Sequence, residues 1–410
     1  MTVTASETAY PAGFNPFDVA WLTRIYEVDA ALRRHEPVSR PLPGIVYVTR
    51  HEDCRSVLRD VRTYRSTGGM RAPGVVVPEE QLLFNEMDPP IHPRMRRLLI
   101  DAFKPERLST LDAFLEDLAK RSVDAIVERL DAGEAADLVT ALTIPMGNES
   151  TIRLLGFPSD DADRVVGWTK EVMHSDWPSF NRREREGDAE GLEGFPEFRD
   201  YVDAAVRERR VSDDEATDLV SNFARVEVEG CPLSDVQART AVAHMFLAGI
   251  STATNLLGNA LYELVLRPSL YQQVREDRSL VAGVIEESLR FRSPVNFVTR
   301  AVAEPVVISG VEVEPGERVV ASLASAGRDE EVFGPDAGAF RPERENADQH
   351  LAFAPGAHYC VGRALARSEA TAGINAVLDA FPELSLQDAA AFDNVPVPFE
   401  WGPARLLVTR

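Results

Sequence analysis

A run of about 30 residues between two clear helix signals limits this chain more than anything else in it. Ser234-Asp235-Val236-Gln237 reads as a capping box, in which the Ser and Gln side chains satisfy orphan backbone N–H groups at a helix start. Pro268 closes the run, because proline has no N–H to donate and clashes with the preceding turn. Between them, Val242 to Leu257 is apolar on nearly every helical face. A helix without a polar face has to be wrapped by protein or by lipid. Lipid is the poorer choice. No window reaches about 18 uninterrupted apolar residues, and the best, Leu256 to Leu266, is broken by Gly258, Asn259 and Glu263. The fold is therefore built around one internal helix roughly 48 Å long.

Other helical patterns cover Pro93–Phe103, Ser109–Leu130, Asp137–Leu155, Asp160–His174, Glu197–Arg210 and Cys360–Ala380, with shorter ones near Trp21–Arg34 and His51–Arg59. Strand signals are sparse. They are the β-branched run Ile45 to Thr49, an antiparallel hairpin over residues 302–321 with turns at Ser309-Gly310 and Pro315-Gly316, and a final strand at Ala404–Thr409. Gly68 to Pro78 is a loop, Gly187 to Gly194 a connector, and Arg182 to Glu186 a solvated charge run. No internal repeat divides the chain, so residues 1–410 are expected to form one mainly α domain with small antiparallel sheets. Residues 1–43 read as an N-terminal arm.

The charge balance, 44 Lys+Arg against 66 Asp+Glu for a net −22, argues against a nucleic-acid binder. Three scattered cysteines make no disulfide framework and fit a reducing compartment. The first twenty residues hold neither a positive n-region nor an apolar h-region, so the expectation is a cytoplasmic protein that does not span a membrane.

One of those cysteines stands in a distinctive setting, Phe353-Ala-Pro-Gly356-Ala-His358-Tyr-Cys360-Val-Gly362, with an apolar helix directly after it. A thiolate at a helix N-terminus is favoured by unsatisfied N–H groups and the macrodipole. Glycines let the backbone fold under a flat ligand. A single axial Cys thiolate is how oxygen-activating haem enzymes hold iron. From the chain's own composition, Phe, Gly, Cys and Gly at this spacing arise by chance about 5 × 10⁻⁴ times.

This loop, residues 353–362, resembles the haem-binding loop of the cytochrome P-450 family. Three further motifs resemble that family in order and spacing. They are Glu287-Ser-Leu-Arg290, Phe340-Arg-Pro-Glu-Arg344, and Ala248-Gly249-Ile250-Ser251-Thr252 on the long helix. The resemblance runs from Ile45 to the C-terminal strand. It implies a haem-thiolate monooxygenase with a long helix over haem b, Cys360 as axial ligand, and Phe353, Gly356, Ala248 and Gly249 against the cofactor. Glu287, Arg290 and Arg344 are implied as a buried structural triad. His92 and Arg96, at i and i+4 in Asp88-Pro-Pro-Ile-His92-Pro-Arg-Met-Arg96, are suited to a propionate. Arg300 and His358 are implied in the same role.

Thr252 is implied to hold the ordered water that carries protons to the reacting oxygen, beside a local distortion of the helix. Its hydroxyl bonding back to the i−4 carbonyl supports such a bend. The residue before it is usually Asp or Glu in the family, and here it is Ser251. A serine holds no charge, though it relays through water. The expectation is therefore a relay through Ser251 and Thr252, slower or less coupled. The departure keeps open peroxide-driven oxidation, oxidative coupling or nitric-oxide reduction. A haem protein that binds ligands without turnover is a third reading, against which Thr252 counts. Ala354 also departs from a common glycine.

By position, the substrate pocket draws on Gly68–Phe84, residues 173–198, Val295, Phe297 and Val298, and a C-terminal turn at Phe399, with Arg71 and Glu400 either inside it or facing solvent. The lining suits a hydrophobic small molecule. The chain carries no Gly-rich dinucleotide fingerprint, so neither flavin nor nicotinamide is expected in it. Electrons for O2 would come from a separate ferredoxin and its reductase. Arg94, Arg96, Arg97, Lys104 and Arg107, with Arg363 and Arg367, form a basic island that an acidic donor fits. The expected state is a monomer.

Overall fold

The capping box forms. The Ser234 hydroxyl accepts the Gln237 N–H at 3.1 Å, and the Gln237 side chain accepts the Ser234 N–H at 3.0 Å. From there one unbroken helix runs Asp235–Val265, 31 residues and about 46 Å, and a second helix, Pro268–Glu276, starts at the proline. The computed structural model describes residues 11, 13–71, 77–165, 167–168, 196–212, 218–228, 230–388 and 392–410. Much of Asp160–His174, the connector, the charge run and most of 173–198 lie outside the described residues.

The central helix serves two cores. Its first half, Ala238 to Ile250, packs with helices Ile91–Ala102, Pro196–Val211 and Leu219–Arg225. Its second half, Leu256 to Val265, packs with Asp112–Asp131, Leu280–Phe291 and Arg363–Ala380. Between the halves lies a polar girdle of Ser251, Thr252, Thr254 and Asn255. By length and apolarity this is the one helix among the described residues fit to cross a membrane, and protein covers most of it. Helix Ile144–Leu155 crosses close to it: a side chain at Gly249 would meet the Thr151 hydroxyl at 2.7 Å.

The sheet differs from expectation. Five strands lie in the order Val38–Leu42, Ile45–Val48, Arg318–Ser322, Phe297–Val302, Tyr64–Arg65. Arg318–Ser322 runs antiparallel to Phe297–Val302 but parallel to Ile45–Val48, so the sheet is mixed. Strands from remote parts of the chain are free of the hairpin constraint that forces antiparallel pairing. The hairpin expected over 302–321 is two nested ones: that outer pair, and Val306–Ile308 against Val311–Val313 with left-handed Ser309 and Gly310 between them. Strand Leu407–Thr409 closes a small sheet with Ser385–Leu386 and Ala136–Asp137.

Other boundaries move for local reasons. Cys360 precedes its helix, which begins at Arg363. Asp137–Leu155 splits into a strand, a π-helical turn Val139–Thr143 and an α-helix. Pro145 has no N–H for the i−4 bond, and the Ile144 N–H reaches five residues back to Val139 instead. The N-terminal segment is more than an arm. It contributes a strand, and buried Asp29 accepts the Tyr47 hydroxyl at 2.8 Å and the Ser322 hydroxyl at 3.0 Å.

Candidate active site

Cys360 sits at the end of a wound loop. Its N–H donates to the Phe353 carbonyl at 3.0 Å, and the Tyr359 N–H to the Gly356 carbonyl at 3.1 Å. Gly356 has φ +124°, and a Cβ there would meet the Leu58 carbonyl at 2.5 Å, so only glycine fits. Ala354 also adopts a left-handed φ of 50°, at a strain cost of about 1 kcal/mol. Burial pushes the Cys360 thiol up, while the N–H groups of Gly362 and Arg363 act on the sulfur in the opposite sense. Negative charge on this sulfur is held by the turn that opens the next helix.

The thiol faces a cavity of about 620 Å³ whose wall includes Phe353, Ala248, Gly249 and Thr252. The Thr252 hydroxyl donates to the Ala248 carbonyl at 2.7 Å, leaving its oxygen lone pairs for the cavity. The helix remains continuous through 248–252, with no interruption at the expected distortion.

At one edge of the cavity stand His92, Arg96, Arg300 and His358. Arg300 is buried and donates to the Thr299 carbonyl at 2.8 Å. No carboxylate among the described residues pairs with it, and burial lowers its pKa to about 10. The rings of His92 and His358 lie 4.0 Å apart, and Nε2 of His358 bonds the Ser66 hydroxyl at 2.9 Å. Burial, then the neighbouring cations, pushes His92 down to about 4 and His358 to about 2. Both imidazoles are neutral as the protein stands, and Arg96 donates to the Tyr359 carbonyl. Asp88 acts on Arg300 and His92 through space but makes no ion pair with Arg300 among the described residues, so this edge suits the two carboxylates that a flat macrocycle above Cys360 would bring. The residues fit a haem.

Behind the loop, Glu287 and Arg290 are fully buried and pair through two 2.6 Å contacts. Arg290 also donates to the carbonyls of Gly327, Ala337 and Ala339. Arg344 reaches Glu287 at 3.4 Å, and the Arg341 N–H at 2.7 Å completes the carboxylate's shell. Nothing in this cluster faces the cavity.

Phe84, Val295, Phe297, Val298 and Phe399 all lie on the cavity wall. Arg71 does not: it makes a bidentate pair with buried Glu86 at 2.6 and 2.9 Å. Ser251 is off the wall as well, whereas Glu400 is on it and almost fully buried. The Ser251 hydroxyl donates to that carboxylate at 2.6 Å. Arg367, read as part of a basic island, is held by Glu286 at 2.5 and 2.9 Å.

Among the polar wall residues that escaped the sequence reading, His244, Asn85 and Glu369 stand out. His244 interrupts the apolar run of the central helix, and its Nδ1 has no hydrogen-bond partner among the described residues; neither has Oδ1 of Asn85. Glu369 lies on the buried face of the helix after Cys360, bonded by the Ser150 hydroxyl. A lone ionisable side chain within an apolar stretch of helix was the available signal for His244, whereas Glu369 stands two residues from Arg367 and carried no such mark. Asn85 offered none.

Comparison with known proteins agrees with this geometry. The sequence model of the cytochrome P-450 family matches residues 43–389. Mycinamicin IV hydroxylase/epoxidase of Micromonospora griseorubida is 32% identical over 392 residues, covering 93% of each chain. Erythromycin C-12 hydroxylase of Saccharopolyspora erythraea is 30% identical over 365 residues, 87% of this chain and 86% of that one. The solved structure of CYP109Q5 from Chondromyces apiculatus superposes with a TM-score of 0.84 at 27% identity, covering 97% of this chain and 98% of that one. The chain belongs to the cytochrome P-450 family and is an oxygen-incorporating oxidoreductase of that fold.

Proposed function

We propose that this protein hydroxylates a hydrophobic small molecule, inserting one atom of O2 with electrons passed from NAD(P)H by a separate ferredoxin and ferredoxin reductase. The observation that carries this reading is one cavity holding a half-buried cysteine at a helix start, a cationic edge whose Arg300 has no ion-paired carboxylate among the described residues, and Thr252. Haem b, held by Cys360, supplies oxygen binding and redox chemistry when bound.

The chain's own groups do the rest. The N–H groups of Gly362 and Arg363 hold negative charge on the Cys360 sulfur. Arg300, Arg96, His92 and His358 would hold the propionates, whose carboxylates would offset the neighbouring cations that add to burial in keeping both histidines neutral. Thr252, its proton committed to Ala248, presents an acceptor for ordered water. Phe84, Val298 and Phe399 exclude bulk water and favour an apolar body. His244 Nδ1 and Asn85 Oδ1 form a polar handle on that wall, so the substrate carries a hydroxyl, carbonyl or amide where it meets them.

The names of the two relatives support testing erythromycin-like and mycinamicin-like molecules first. Residues 1–410 act as one cytoplasmic, monomeric haem domain. Exposed Arg97 and half-buried Arg363 give an electron donor a basic approach. Arg97→Glu lowers the electron-transfer on-rate at low salt more than at high salt.

The test is a spin-shift titration followed by turnover with ferredoxin, reductase and NADPH. The expected result is a low-to-high spin shift and a product carrying one oxygen from labelled O2. Product formed with peroxide alone, and never with the reductase chain, overturns the reading.

A further inference from the structure

We propose that Glu400 is the proton-holding acid of this site, set from the C-terminal turn into the place that Ser251 leaves without a carboxylate. The inference rests on the monooxygenase reading above and names a residue that the family pattern at 251 does not contain. Three observations carry it.

The first is placement: Glu400 and Thr252 line one cavity, while Ser251 lies behind the carboxyl. The second is aim. The Ser251 hydroxyl donates to Oε1 at 2.6 Å, and the Asn255 amide, one helical turn on, donates to Oε2 at 3.2 Å. The backbone is fixed just as firmly. The Glu400 N–H donates to Val397 at 3.1 Å, and its carbonyl accepts the Asn296 amide at 3.1 Å. The third is charge. The two described side chains that favour its ionised form are a neutral hydroxyl and a neutral amide, and burial outweighs both, raising the pKa. A buried acid without a cation holds its proton. If the role were only structural, glutamine would fill it without the cost of burying an acid.

Ser251 and Asn255 are thus positioning residues for Glu400. When a proton is drawn into the cavity, water held at Thr252 Oγ1 gives up one of its own protons as the Glu400 O–H bond breaks and a new O–H bond forms on that water. The carboxylate is stabilised at once by the Ser251 and Asn255 donors, then regains a proton from solvent. No electrons move and one proton is returned for each delivered. The cavity has a second buried acid, Glu369, pushed up to about 8 by burial and bonded by Ser150, and it is the internal competitor.

The experiment compares wild type, Glu400→Gln, Glu400→Asp and Glu369→Gln as haem-loaded proteins. Infrared spectra of the resting enzyme, read without turnover, are expected to show a protonated-carboxyl band that Glu400→Gln removes, Ser251→Ala shifts and Glu369→Gln leaves in place. In turnover, Glu400→Gln is expected to lower product formation about 10²-fold and product per NADPH with it, at unchanged substrate affinity by spin shift. Glu400→Asp recovers most of the loss, because it restores an acid where a structural role would still sense the shortened chain. The proposal is overturned if Glu400→Gln removes no carboxyl band beyond the one that Glu369→Gln removes, by unchanged coupling in that variant, or by a loss confined to substrate affinity. That last result makes Glu400 a substrate anchor. The wild type's own oxygenated product tests the monooxygenase reading separately.

Discussion

The two sides of the cavity are built by different means. On the cysteine side, polar groups are closed mainly by backbone: Arg290 takes three carbonyls, Glu287 a backbone N–H, and Cys360 the start of its own helix. On the central-helix side, side chains meet side chains from remote segments, as with Ser251 and Glu400, or stay open toward the cavity, as with His244 and Asn85. Backbone closure tolerates no substitution of the group it surrounds, because a stranded partner cannot find water. An open or side-chain-closed wall is retuned one residue at a time. The first arrangement fixes a cofactor, and the second selects what reacts with it.

Substitutions break or sharpen that contrast in order of size. Glu287→Ala strands buried Arg290 and is expected to cost about 3–5 kcal/mol, seen as a large fall in unfolding midpoint and poor haem retention. A loss below about 1 kcal/mol would place the triad among surface pairs.

Asp29→Asn tests closure at the N-terminal segment. Burial raises the Asp29 carboxyl from 3.8 to about 6, so the native state binds the extra proton. Its stabilising share is complete below about pH 4 and lost as pH rises through about 6, up to about 3 kcal/mol. Urea titrations from pH 4 to 7 should show that slope in wild type and a flatter one in Asp29→Asn. An equal slope in both removes Asp29 as its source.

On the open wall, His244→Phe keeps a ring against Phe84, 5.3 Å away, and removes the orphan nitrogen. Folding stability should change by less than about 1 kcal/mol, while the spin-shift Kd for a substrate with a polar handle rises about tenfold. An unchanged Kd would make the histidine mere lining. The smallest effect is Ala354→Gly. Relief of the left-handed alanine should stabilise by up to about 1 kcal/mol, in calorimetry, without moving the haem spectrum.

Legibility in the sequence followed the same division. The cysteine side could be read because its parts are contiguous: ten residues carry the loop, and Glu287 and Arg290 stand one turn apart. The central helix announced itself by a capping box and an all-round apolar face. What stayed hidden was contact across the chain. Glu400 meets Ser251 over a separation of 149 positions, and no local pattern marks an acid whose partner is a hydroxyl on another element. The parallel pairing of Arg318–Ser322 with Ile45–Val48 was hidden for the same reason. The missing acid at 251 was visible as a departure, and its replacement became visible only in three dimensions.

The measurement that bears most directly on the whole account is the reduced, CO-bound difference spectrum of wild type beside Cys360→His. Thiolate ligation by Cys360 predicts the long-wavelength Soret band in wild type and its replacement by the shorter-wavelength band of imidazole ligation in the variant. A wild-type spectrum of the imidazole kind, or a long-wavelength band that survives Cys360→His, would contradict it.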